Sequence, residues 1–158
     1  MNIRGLIDKL KGKDKLDRTA LAQVRVSLLI AALDGDITRD EVYEFRRLAQ
    51  ASENWSEEAE KKAFYSAIRA AGYLMLLARV ATKDELLLEF VAEADKFLPM
   101  FFALEDEERA AAVAVWKNVA NADGEFSEIE RDAIACLEKR LQVRSELERL
   151  AASGGYAG

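Results

Sequence analysis

A chain of 158 residues with 51% apolar and 33% charged positions is long enough for one domain with its own core. It has no histidine, which removes the commonest general base, the imidazole metal ligand and the usual catalytic triads. A net charge of −6 argues against nucleic acid as a partner, and a single cysteine, Cys136, leaves neither a disulfide nor a thiolate zinc site.

One proline and abundant Ala, Leu, Glu, Lys and Arg favour helices, and no stretch alternates cleanly enough for a strand. The greasiest stretch, Ala67 to Ala81, is interrupted by Arg69, Gly72 and Arg79 and is too short to span a bilayer. No signal peptide is visible, so the expected compartment is the cytoplasm. Asn54-Trp55-Ser56 matches a glycosylation acceptor by chance on that reading.

In chain order, Ile3, Leu6, Ile7 and Leu10 have helical spacing, and residues 1–16 form a basic amphipathic segment. Arg4, Lys9, Lys11, Lys13, Lys15 and Arg18 oppose Asp8, Asp14 and Asp17, giving 6 − 3 = +3 and leaving −9 for the rest. Either the segment packs on the domain or frays, or it is an arm that touches anionic lipid or an acidic partner surface. As such an arm it is dispensable for folding, and deleting residues 1–16 leaves the melting transition nearly intact. The domain proper is expected over residues 17–152, with residues 153–158 a flexible tail.

A helix is predicted from about Arg18 to Leu33, then a turn at Asp34-Gly35-Asp36 and a Thr38-capped helix to about Ala51. Ser56 opens the next, which Gly72 breaks or bends, leaving Tyr73, Leu76, Leu77 and Val80 as a short apolar face beyond it. Thr82 and Glu85 make a capping box for a helix that ends before Pro99. The acidic run Glu105 to Glu108 suits the first turn of a helix reaching about Ala122. The turn Asp123-Gly124-Glu125 leads to a helix capped by Ser127, and a separate last helix covers Val143 to Ala152. Cys136, between Ile134 and Leu137, is expected to be a buried thiol.

The functional signal is a repeat. Residues 34–41 read Asp-Gly-Asp-Ile-Thr-Arg-Asp-Glu and residues 123–130 read Asp-Gly-Glu-Phe-Ser-Glu-Ile-Glu. At average residue usage a second copy arises by chance roughly once in a few thousand chains, so the repeat is taken as real. The likeness extends outward: Ile30 aligns with Val119, Ala31 with Ala120, Phe45 with Ile134 and Leu48 with Leu137. The implied fold is all-α, a single compact domain of about seven or eight helices in two pseudo-symmetric halves.

Two readings of the motif stand. Thr38 with Glu41, and Ser127 with Glu130, are capping boxes, Gly35 and Gly124 end the preceding helices, and Ile37 and Phe126 staple each turn to the core. On this reading the chain is a purely structural helical adaptor. Against it, Asp34 and Asp123 sit at helix C-termini, where a carboxylate opposes the dipole at a cost of about 0.3–1 kcal/mol. Asp36 and Glu125 add further negative charge, and clustered carboxylates repel unless a cation offsets them. The candidate ligands of a divalent cation, Ca²⁺ ahead of Mg²⁺, are Asp34, Asp36, Glu41, Asp123, Glu125 and Glu130.

Neither copy is a standard calcium loop. With Gly35 at the glycine position, Ile30 and Ala32 stand where the first two ligands belong, and Val119 and Asn121 stand there in the second copy. A shell needs both turns to face each other. Paired carboxylates also serve hydrolysis and phosphoryl transfer, but no separate nucleophile, phosphate loop or convergent basic residue accompanies them, so an enzyme is not expected.

Ala31-Ala32-Leu33-Asp34-Gly35-Asp36-Ile37-Thr38 with Glu41 resembles the TerB-like family, named for tellurite-resistance proteins. The resemblance recurs in Trp116 followed by Val119-Ala120-Asn121-Ala122-Asp123-Gly124-Glu125-Phe126-Ser127 with Glu130, and in Glu105-Asp106-Glu107-Glu108-Arg109. It covers roughly residues 18–141, and Leu33 is a bulkier departure than Ala122 in the same place. The resemblance implies an all-helical domain whose acidic residues gather into a calcium centre, a noncatalytic role in stress responses, and protein partners near the membrane. By motif position Asp34, Glu41, Asp123 and Glu130 carry over as ligands, Asp36 and Glu125 less directly.

Overall fold

A computed structural model describes residues 18–33, 37–52, 55–120 and 127–153. Seven helices and no strand occur among them: α1 (Arg18–Ala32), α2 (Arg39–Gln50), α3 (Glu58–Leu77), α4 (Lys83–Ala94), α5 (Pro99–Phe102), α6 (Asp106–Ala120) and α7 (Glu128–Ala152). The chain is one all-α domain. The basic segment 1–16 and the tail 154–158 lie outside the described residues.

The first helix is the axis of the fold. From Ala20 to Ala32 it carries Leu21, Ala22, Val24, Val26 and the run Leu28 to Ala32, so it has no polar face, and a helix apolar all round is stable only when surrounded. Residues 20–22 and 24–33 are buried, and α3, α4, α5, α6 and α7 all pack against it. Arg25 and Ser27 are its buried polar residues. The Arg25 guanidinium pairs with Glu60 in the first turn of α3 and lies 5.9 Å from the centre of the Phe97 ring.

α3 passes through Gly72 unbroken, which corrects the expected break there. A helical glycine costs about 1 kcal/mol relative to alanine, and burying Leu74 alone returns about 1.5–3 kcal/mol. In the continuous helix the core face is Phe64, Ala67, Ala70, Ala71 and Leu74. Steps of 100° from that face turn Tyr73 and Leu76 to solvent, Val80 is exposed in the turn after the helix, and only Leu77 is half-buried, so they are not the apolar face expected of them. Ser56 does not open this helix either; Glu57 stands at its cap without a side-chain bond.

α4 has the expected Thr82 cap and ends in turns before Pro99. Pro99 then starts the four-residue α5, which needs no amide at its first position. Phe101 of α5 meets Trp116 of α6 edge to face at 5.2 Å, both fully buried.

The two helices expected after Ser127 are one, α7, of 25 residues. No glycine or proline interrupts it, and Arg109 of α6 holds its second half. The guanidinium donates to Ser145 Oγ and to Glu148 Oε2 at 3.0 Å. The same group donates to the carbonyls of Phe101, Phe102 and Leu104 at 2.9–3.1 Å, which ties α5, α6 and α7 together. Cys136, expected buried, is half-exposed, because its neighbours Ile134 and Leu137 point to the core and it falls on the side facing α4.

Candidate acidic centre at the two capped turns

Each copy of the repeated motif is followed by a capped helix. At α2, Thr38 Oγ1 accepts the Glu41 amide at 3.2 Å, and Glu41 Oε1 accepts the Thr38 amide at 3.0 Å and its hydroxyl at 2.9 Å. At α7, Ser127 Oγ accepts the Glu130 amide at 3.3 Å and donates to Glu130 Oε1 at 2.9 Å. Ile37 is buried against the core, as a staple should be. Asp34, Asp36, Asp123 and Glu125, with Gly35, Gly124 and Phe126, lie outside the described residues, as does the expected approach of the two turns.

A third capping motif provides an internal control. Thr82 Oγ1 accepts the Glu85 amide at 3.2 Å at the start of α4, with no Asp-Gly before it, and Glu85 is exposed. Glu41 and Glu130, at the same cap position but after Asp-Gly, are 8% and 0% exposed. Capping therefore does not require the glutamate to be buried. Taking a carboxylate out of water is costly; of the three buried glutamates, Glu60 is paired with Arg25, and the other two belong to the repeat.

The oxygen-only chemistry of this set suits a hard divalent cation, and buried carboxylates at matching positions of the two copies fit such a group. Among the described residues no three acidic or cysteine side chains cluster into a metal site by themselves. Any shell must therefore draw on the turn residues. In the first copy the positions where a standard calcium loop has its first two ligands are Ile30 and Ala32, both fully buried in α1, so that copy is not a standard calcium loop.

Sequence reasoning missed the Arg25–Glu60 pair, whose partners are 35 residues apart. It also missed a groove between α4 and α7, two overlapping hollows of about 450 and 550 Å³ floored by Leu87, Leu88, Val91, Cys136 and Val143. Lys83 bridges the groove's lower end, its ammonium 2.7 Å from Glu128 and 2.5 Å from Asp132, and Arg140 closes it on Asp95 at 3.1 Å. Hydrogen bonds to Asp132 and then Glu128 hold the Lys83 pKa above its ordinary value of 10.5.

No helix among the described residues is long and apolar enough to cross a membrane. The family described as tellurite resistance protein TerB matches residues 20–151, which takes in α1 from its third residue and all but the last residue of α7. No curated protein and no solved structure matches the chain.

Proposed function

The chain belongs to the TerB family, and from that premise we propose that it is a noncatalytic, metal-responsive interaction module. Asp34, Asp36, Glu41, Asp123, Glu125 and Glu130 hold a divalent cation, Ca²⁺ in preference to Mg²⁺, between the two Asp-Gly turns. Binding clamps the two helix-turn-helix units and sets the surface offered to a protein partner in a cytoplasmic stress response. The supporting observation is the burial of Glu41 and Glu130 in the repeated motif against the exposure of Glu85 at the Thr82 cap.

Thermal melting tests this reading. A ligand bound only by the folded state at about 100 times its dissociation constant adds about 2.7 kcal/mol, on the order of 5–10 °C for a domain of this size. Millimolar Ca²⁺ raises the melting temperature of the wild type, and Asp34→Asn or Asp123→Asn removes most of that rise. Identical curves in calcium, magnesium and chelator remove the metal from the account. The second reading, a structural adaptor with acidic turns as caps, then stands, supported by the cap bonds at Thr38 and Ser127.

A further inference from the structure

One face of α7 has a continuous 4-3 spacing: Ile129, Ala133, Cys136, Arg140, Val143, Leu147 and Leu150. This is the seam by which one helix receives another along its length. α4 occupies the first part of it, from the Lys83–Asp132 contact to the Asp95–Arg140 contact, and then ends. Val143, Leu147 and Leu150 continue the seam past that end with 46%, 46% and 48% of their surface in water. They span one heptad, about 10.5 Å of helix.

We propose that the chain's own N-terminal segment, Ile3 to Leu10, docks as a helix on Val143, Leu147 and Leu150 and completes the seam that α4 leaves unfinished. Ile3, Ile7 and Leu10 repeat the 4-3 spacing of Val143, Leu147 and Leu150, each over eight residues, with Leu6 beside them. The segment is therefore as long as the uncovered stripe and no longer. Seven residues, Lys11 to Asp17, connect it to α1. Extended, they reach about 24 Å.

Area favours this occupant. Three half-exposed aliphatic side chains offer on the order of 250 Å², well short of the roughly 800 Å² per partner of a stable dimer. A tethered segment needs less area, because its local concentration is about millimolar before any contact is made.

Amide hydrogen exchange on the full chain tests the proposal. Amides of residues 3–10 exchange at least tenfold more slowly than in a free peptide of residues 1–17, at a rate independent of protein concentration. Leu147→Asp returns them to the peptide rate while the amides of α1 and α3 keep theirs, which shows that the domain is still folded. Leu88→Asp, exposed on α4, leaves the protection in place. Exchange of residues 3–10 at the peptide rate in the wild type, or protection that survives Leu147→Asp, overturns the proposal. So does protection that grows with concentration alongside a dimer mass, which assigns the stripe to a second copy. Protection that appears only with phosphatidylserine vesicles also overturns it and assigns the segment to lipid.

Discussion

Arg25, at the middle of the buried helix α1, places its guanidinium on the carboxylate of Glu60 at the start of α3, with both side chains inside the domain. Removing either partner strands the other as a buried charge. Arg25→Met and Glu60→Gln each destabilise the protein by about 3–5 kcal/mol, a fall in melting temperature on the order of 10 °C. Replacing both by leucine costs less than either single change, because no charge is left unpaired. Chemical denaturation of the three variants measures this; a double variant as unstable as the sum of the singles contradicts it.

The three caps separate capping from metal binding. Thr38→Ala, Thr82→Ala and Ser127→Ala each remove an oxygen that accepts an amide of the first turn, at about 1 kcal/mol apiece. Glu41→Gln and Glu130→Gln keep the shape and remove the charge. They abolish the calcium-dependent rise in melting temperature, whereas Glu85→Gln, at the exposed cap, leaves it unchanged. Equal responses from all three glutamine variants count against an acidic centre at the repeated turns.

Gly72 lies inside α3, is exposed, and a methyl group built on it meets no atom within 4 Å. Gly72→Ala stabilises the protein by about 0.5–1 kcal/mol through the entropy of the unfolded chain. The urea midpoint rises with an unchanged slope. A destabilised variant shows that another surface approaches the backbone at this position.

Lys83 gives alkaline stability a defined direction. Its folded pKa is raised by Asp132 and Glu128, so its contribution is fully present below the unfolded pKa of 10.5 and is lost as pH rises through the folded value. The melting temperature therefore falls from pH 9 to above pH 11. Lys83→Met, which has no proton to lose, shows a smaller fall over the same interval, by parallel melts in the two buffers.

Much of the fold is local and was legible in the chain. Helix periodicity placed α1, α2, α4 and α6; the Thr38 box closes in both directions, and the hydroxyls of Thr82 and Ser127 accept the amides of Glu85 and Glu130. The two errors in helix continuity have one cause: a breaker, or a gap in a pattern, is weighed against packing that the sequence does not display. In the sequence Gly72 reads as a break or bend, because the burial of Phe64 and Leu74 on either side of it is not visible there. The end of α7 reads as a separate helix because the Arg109 contacts that hold it come from 36 and 39 residues away.

Sequence alone determined the helical class, the caps and the repeat, because these depend on neighbours within about four residues. The inequality of the repeat's halves is in the chain already: α1 has no polar face and is surrounded by five helices, whereas its counterpart α6, also 15 residues long, carries Asp106, Glu107, Glu108 and Lys117 and keeps an exposed side. Tertiary structure decided that Glu41 and Glu130 are buried while Glu85 is not, although all three occupy the same cap position. A cap is completed within one turn of helix. Burial is set by what packs over that turn from elsewhere in the chain, and this separates an acidic centre from an ordinary helix start.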